Sequence, residues 1–357
     1  MSDALQQRWP MPSNPRPIVI IGTGGIVKDA HLPAYRKAGF EVAGLFDLDP
    51  ARAETTAAEW DIPTVFASIE EAAAQDAVFD IAAPPVAHAE ILRALPEGAT
   101  VLLQKPMGLD LAQATAIRDA AHARKLTAAV NFQLRYSAMM LAIADAIRQG
   151  RLGELVEIEV HINLVTPWHL FPHLKPNPRV EIVSHSIHYL DTIRALAGDP
   201  TAVFARSFAH PSSDLADTRT TMILDYPKPL RVVLSINHHH DFGRRFQDAN
   251  FRVEGTEGAA IAKLGVLLDY PQGEPDELWL APRGGPWEQV PLDGAWFPDA
   301  FIGPMANLQR FAAGEDAALA TRVDDAWRTM ALVEACYRSN QQPGTPVPQP
   351  TEGSPTP

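Results

Sequence analysis

Three stretches of the chain combine residue types that chemistry can use. In "IVIIGTGGIVKDA", Gly22, Gly24 and Gly25 follow an apolar run and precede a helical pattern. Gly22 permits a tight turn there, and Gly24 lets the backbone approach a pyrophosphate. The following helix offers free N–H groups and a partial positive charge toward Thr23, Gly25 and Ile26, which suits a phosphate. Val27 stands where a third glycine is usual. Asp47 closes the next apolar run, 25 residues beyond Gly22. A carboxylate at that strand end accepts hydrogen bonds from an adenosine ribose and repels a 2′-phosphate, which favours NAD. Arg52 keeps NADP open, since a guanidinium there neutralises that phosphate. A helix-capping role for Asp47 competes, but Asp49 before Pro50 serves it equally well.

The second stretch is "VLLQKPMG", an apolar run that stops on Gln104, Lys105 and Pro106. A strand-end lysine without special context is ordinary surface charge. This one belongs to the same series of buried runs as the glycine turn. The third is "VEIVSHSIHYLDTIRALAG", where a helix buries Val183, Ile187, Leu190, Ile193 and Ala197 and gathers Ser184, His188 and Asp191 on another stripe. Imidazole, with a pKa near 6.5, moves protons both ways at neutral pH. Glu181, His185 and His188 also have spacings that bring zinc ligands together, but no cysteine joins them and no metal is expected.

These residues need elements to position them. From Pro17 to Asn131 apolar runs alternate with helical patterns, which means a parallel sheet buried on both faces with right-handed crossovers. After Phe132 longer alternating stretches follow one another, as in "LVEIEVHINLV", "TTMILDY" and "RVVLSINHHH", and predict an antiparallel sheet. The expected fold is α/β: a doubly wound Rossmann sheet over 17–134, then an α+β domain with an open, mainly antiparallel sheet over 135–340. Residues 1–16 and 341–357 read as arms, free or lying on a neighbouring subunit. The second of these carries six prolines in 17 residues and too few apolar side chains to order itself.

Composition narrows the partners. With 46% hydrophobic residues in 357, the chain buries one large core or two ordinary ones. A net charge of -13, from 30 basic and 43 acidic residues, disfavours nucleic acid and anionic membranes. No run reaches the 18 or so apolar residues of a membrane span. The one cysteine, Cys336, fits a reducing compartment, so a cytoplasmic location is expected.

In their order and spacing, "GTGGI", "AAPPVAHAEILRAL", "QKP", "VNFQLRYS" and "SHSIHYLD" resemble the glucose-fructose oxidoreductase, inositol dehydrogenase and rhizopine-catabolism (Gfo/Idh/MocA) family over Pro17 to about Ser339. The resemblance counts "QKP" as the end of a fifth strand and "VNF" as the sixth. It implies an NAD(P)-dependent dehydrogenase acting on a secondary alcohol of a sugar, sugar derivative or cyclitol, working as a homodimer or homotetramer. By the same resemblance Lys105 lies beside the nicotinamide and the substrate hydroxyl, with His188 as acid/base partner. An ammonium held against that oxygen stabilises developing alkoxide.

Two departures stand out. The family's Glu-Lys-Pro is Gln104-Lys105-Pro106 here, and Ser184 replaces a common catalytic Asp, for which Glu181 or His185 substitutes if anything does. The family also includes NAD-dependent glycosidases and non-catalytic NAD-binding regulators, and both remain alternatives. The resemblance sets Pro84, Pro85 and His88 against the nicotinamide half of the cofactor. Asn131, Gln133, Arg135 and Tyr136 leave their strand toward the cleft, where Arg135 binds substrate oxygens or pairs with an acid between domains. Trp168, His169 and His173 suit a sugar, whose C–H groups pack on rings. "NHHHDFGRRF" does not read as a ligand set, because consecutive strand residues alternate faces. "WFPDAFIG" lines the cleft or the core.

Overall fold

The computed structural model describes residues 4–348. Five short strands, β1 (Ile18–Ile21), β2 (Val42–Phe46), β3 (Val78–Ile81), β4 (Thr100–Leu103) and β5 (Thr127–Val130), form a parallel sheet in the order β2-β1-β3-β4-β5. Every residue of β1, β3 and β4 is buried, which is why these strands read as unbroken apolar runs. The charged exception is Asp80 in β3, whose Oδ2 is bonded by His31 Nδ1 at 2.6 Å and by the Tyr35 hydroxyl at 2.7 Å.

The crossovers are α1 (Leu32–Ala38), α2 (Pro50–Trp60), α3 (Ile69–Ala73), α4 (His88–Ala94) and α5 (Leu111–Ala123). Asp49 caps α2 by accepting from the Arg52 amide, so Asp47 is free of that duty. The strand count is one lower than the resemblance implied. Where an extra strand would flank β2 there is a single bridge, Leu45 to Val65, and the "QKP" strand is therefore the fourth of five. From β1 the chain moves outward to β2, and from β3 it moves outward the other way. A crevice therefore opens above the carboxyl ends of β1 and β3, the position at which α/β sheets bind ligands.

After α6 (Ala138–Arg148) come β6 (Leu155–Asn163), α7 (Ile187–Ala197), β7 (Ala202–Phe208), β8 (Arg219–Asp225), β9 (Arg231–Asn237), β10 (Asp248–Gly255), β11 (Gly258–Lys263), β12 (Glu277–Pro282) and β13 (Glu288–Val290). They build an eight-stranded sheet in the order β13-β12-β11-β10-β6-β9-β8-β7. All pairings are antiparallel except β6 with β9. Alternation is clear: Thr220, Met222 and Leu224 of β8 are buried, while Ile223 of β8 and Phe204 and Phe208 of β7 are exposed. This is the second domain, α+β with a mainly antiparallel sheet as expected.

Two helices complete the chain, α8 (Ile302–Ala312) and α9 (Val323–Asn340). Met305 and Leu308 of α8 return to the first domain and share a core with Ile18, Ile20 and Leu102. The N-terminal segment is not the free or subunit-bridging arm that its composition predicted. Within the described residues it lies on its own chain: the Gln6 amide donates to Asp145 at 2.8 Å, and Trp9 Nε1 donates to Asp316 at 2.8 Å while its ring stacks edgewise on Tyr136. Residues 349–357, more than half of the expected proline-rich tail, lie outside the described residues.

Candidate active site

The glycine turn is fixed by its neighbours. Gly22 has φ +98°, and a Cβ there would meet the backbone of Ala82 and Ala83 at 2.8 Å, so β1 and β3 close around it only because it lacks one. At Gly24 a Cβ would meet nothing within 4 Å, which leaves open space directly against the backbone. The helix opens at Gly25 and Ile26, where first-turn N–H groups have no partner within the helix. Open space beside unpaired donors fits a dinucleotide pyrophosphate.

Asp47 braces this turn. Its Oδ2 accepts from the Thr23 amide at 2.7 Å and the Thr23 hydroxyl at 2.9 Å, and its Oδ1 accepts from the Asp49 amide at 2.9 Å. Burial opposes ionisation, but these bonds and the Arg52 guanidinium at 3.7 Å hold the carboxyl below its ordinary range. An ionised acceptor thus waits at the β2 end.

Lys105 follows β4, and the Gln104 amide continues the sheet by donating to Ile81 O at 2.8 Å. The Lys105–Pro106 bond is cis. Lys105 Nζ reaches across to the second domain and donates to Ser184 O at 2.9 Å, while burial lowers its pKa to about 8. The Gln104 side chain is buried with its Oε1 unpartnered, so among the described residues no bond from it orients Lys105.

The helix expected within "VEIVSHSIHYLDTIRALAG" is present, but its first turn, Ile182–Ser186, is a π-turn. A wider turn changes which side chains share a face. Ser184 offers its backbone carbonyl to Lys105. His188 is buried, stands edge-on to Trp296 at 5.7 Å and has an unpartnered Nδ1. Burial first, then the charges of Lys105 and His185, push its pKa well below 6.5. His185 is lowered in the same way by burial, His238 and Lys105. Its ring packs against Trp168 at 5.1 Å, Phe171 at 6.4 Å and His238 at 4.9 Å. His238 bonds Thr166 Oγ1 through Nδ1 at 2.7 Å, and its Nε2 lies 3.5 Å from Glu181 Oε1.

Four expected site residues do other work. Asp191, three residues beyond His188 on α7, is committed to other partners: it accepts from Arg135 and from the Thr329 hydroxyl at 2.9 Å, and burial raises its pKa. Arg135 also holds Asp325 at 2.7 Å, so of its two expected roles pairing between elements prevails over substrate binding. Tyr136 does not face the cleft; its hydroxyl donates to Asn307 at 3.1 Å and its ring packs on Gly303. His88 is fully buried and bonded through Nε2 to Ala83 O at 2.9 Å, which braces the turn of Pro84 and Pro85. Burial lowers its pKa to about 4.

His169 is exposed on the turn after Pro167. His238 is the site neighbour that sequence reasoning discarded. Alternation was sound, because His239 turns away to stack on His210, but only the run as a whole deserved dismissal. The signal was the direct continuation of β9, whose inward residues Val232, Leu234 and Ile236 set His238 on the buried face. Among the described residues no group of three or more His, Cys, Asp and Glu is placed to hold a metal ion, and no helix is long and apolar enough to cross a membrane.

Comparison with known proteins agrees with this geometry. The model of an oxidoreductase family with an NAD-binding Rossmann fold matches residues 16–132, and that of the GFO/IDH/MocA C-terminal domain matches 140–261. The chain is 26% identical to 1,5-anhydro-D-fructose reductase of Ensifer adhaerens over 88% of its own length and 95% of that protein's. It is 25% identical to inositol 2-dehydrogenase of Rhizobium meliloti over 90% and 95%. An oxidoreductase from Agrobacterium radiobacter, solved in complex with NAD+, L-tartaric acid and magnesium, superposes with TM-score 0.76 at 19% identity, covering 92% of this chain and 96% of that one. With a glycine turn, a strand-end lysine and a histidine helix brought together on this framework, the chain belongs to the Gfo/Idh/MocA oxidoreductases and its first domain is their NAD-binding Rossmann domain.

Proposed function

We propose that the protein transfers a hydride between NAD and a secondary alcohol of a sugar, sugar derivative or cyclitol. The observation that carries this reading is the bond from Lys105 Nζ to Ser184 O, because it brings a charged strand-end lysine of the cofactor domain against the helix that bears His188. A bound nicotinamide supplies the two-electron acceptor. His188 is neutral at pH 7 and unpartnered at Nδ1, so it accepts the hydroxyl proton as the carbinol is oxidised. Lys105, with a pKa of about 8, is largely charged at pH 7 and stabilises the developing alkoxide. Gly22, Gly24, Gly25 and Ile26 hold the pyrophosphate, and Asp47 accepts from the ribose and favours NAD over NADP.

The exposed face with Phe204, Phe208 and Ile223 is the surface through which two subunits associate. A reducing cytoplasm suits the buried thiol of Cys336. The test is NADH formation with pyranoses, glycosides and inositols, using wild type and His188→Gln. The reading expects at least one substrate whose turnover falls roughly 100-fold in the variant. Indifference to the substitution would refute the role of His188.

A further inference from the structure

The candidate site has positive and protonatable groups with no carboxylate answering them. Lys105 bonds only a carbonyl. His173 and His185 flank the same ring, Phe171, at 6.5 Å and 6.4 Å, and His188 lies within electrostatic reach of both Lys105 and His185. Among the described residues none of Lys105, His173, His185 and His188 has a hydrogen bond or ion pair with an acid. Ser184, the residue that Lys105 reaches, brings no charge to this helix face.

The nearest acid, Glu181, is fully buried and committed elsewhere. Its Oε1 accepts from the Ser186 hydroxyl at 2.6 Å and lies 3.5 Å from His238, while Asp217 sits behind it, accepting from the Val180 and Glu181 amides. Asp29, which acts electrostatically on Tyr270, touches none of the four. The overall charge of -13 does not substitute, since exposed charges are screened over about 8 Å at physiological salt.

We propose that the substrate of this site carries a carboxylate, as a uronate or aldonate does, and that His173 and His185 bind it beside Lys105. This rests on the hydride-transfer reading only in calling the ligand a substrate; the anion subsite stands on its own geometry. A carboxylate matches the donors on offer, which are single N–H groups of imidazoles. The forked donors of arginine that often hold a phosphate dianion are absent from these four residues. The anion also supplies the negative charge that stabilises protonated imidazole. Desolvation and Lys105 lower the proton affinity of His173 and His185 in the free site, and an anion bound between them raises it. Binding therefore takes up protons, whereas a neutral sugar takes up none.

The experiment is calorimetric titration of the whole protein with glucose, gluconate, glucuronate and glucose 6-phosphate, in two buffers of different ionisation enthalpy, paired with assays of NADH formation. The proposal expects an acid to bind at least about tenfold more tightly than glucose, with proton uptake, and His173→Gln and His185→Gln to lose that preference with unchanged melting temperature. Equal binding of glucose, tighter binding of the phosphate, binding of an acid without proton uptake, or no binding of any of the four overturns it. If an acid binds with uptake yet no compound yields NADH, the anion subsite stands and hydride transfer fails; if glucose is oxidised in preference to its acids, the reverse holds.

Discussion

In the proposed reaction Lys105 and His188 divide the proton chemistry between two abnormal environments. Oxidation needs His188 neutral and Lys105 charged, so turnover falls at low pH as His188 protonates and at high pH as Lys105 discharges near pH 8. Gln104→Glu sets a carboxylate beside Lys105, raises its proton affinity and moves the alkaline limb to higher pH. A pH profile of kcat for both proteins measures this, and an unmoved limb counts against the role of Gln104. His88 makes a different pH prediction. Its folded pKa of about 4 lies below the ordinary 6.5, so the unfolded chain binds the proton more readily. Its stabilising contribution is full above pH 6.5 and is lost as pH falls toward 4, by up to about 3 kcal/mol. Denaturant melts between pH 7 and 4.5 should show a flatter decline for His88→Gln than for wild type.

The elements were legible in the sequence wherever burial on both faces or strict alternation wrote a pattern. The unbroken runs of β1, β3 and β4, the glycine turn and the alternating strands β8 and β9 all emerged at the expected places. Three features had no such signature. A π-turn at Ile182–Ser186 leaves no trace in the apolar spacing, yet it shifts Ser184 relative to His188 and Asp191, which both follow it on α7. Arg135 reads equally as a substrate donor or an ion-pair partner until Asp191 and Asp325 are seen around it. His238 depends on a strand's exact end. Arg135→Ala leaves the buried Asp191 without its cation, while Asp325 keeps Arg194, and should cost roughly 3–5 kcal/mol in denaturant unfolding, far more than loss of a surface pair. Gly22→Ala meets the Ala82 backbone and should weaken NAD binding at least about tenfold in cofactor-fluorescence titrations.

At the scale of the whole molecule the site exists only because two domains meet. The cofactor turn and Lys105 come from the parallel sheet, whereas Ser184, His185 and His188 come from the helix packed with the antiparallel one. The second sheet's other face, with Phe204, Phe208 and Ile223 outward, should make a dimer or tetramer in sedimentation velocity, and Phe204→Glu with Ile223→Lys should shift it to monomer. The central claim is that a lysine of one domain works on a substrate held by the other. The most direct measurement is single-turnover NADH formation by wild type and Lys105→Ala with the best substrate, alongside NAD binding. Retained NAD binding with a rate lower by about 100-fold or more is the predicted result. An unchanged rate in Lys105→Ala would contradict it.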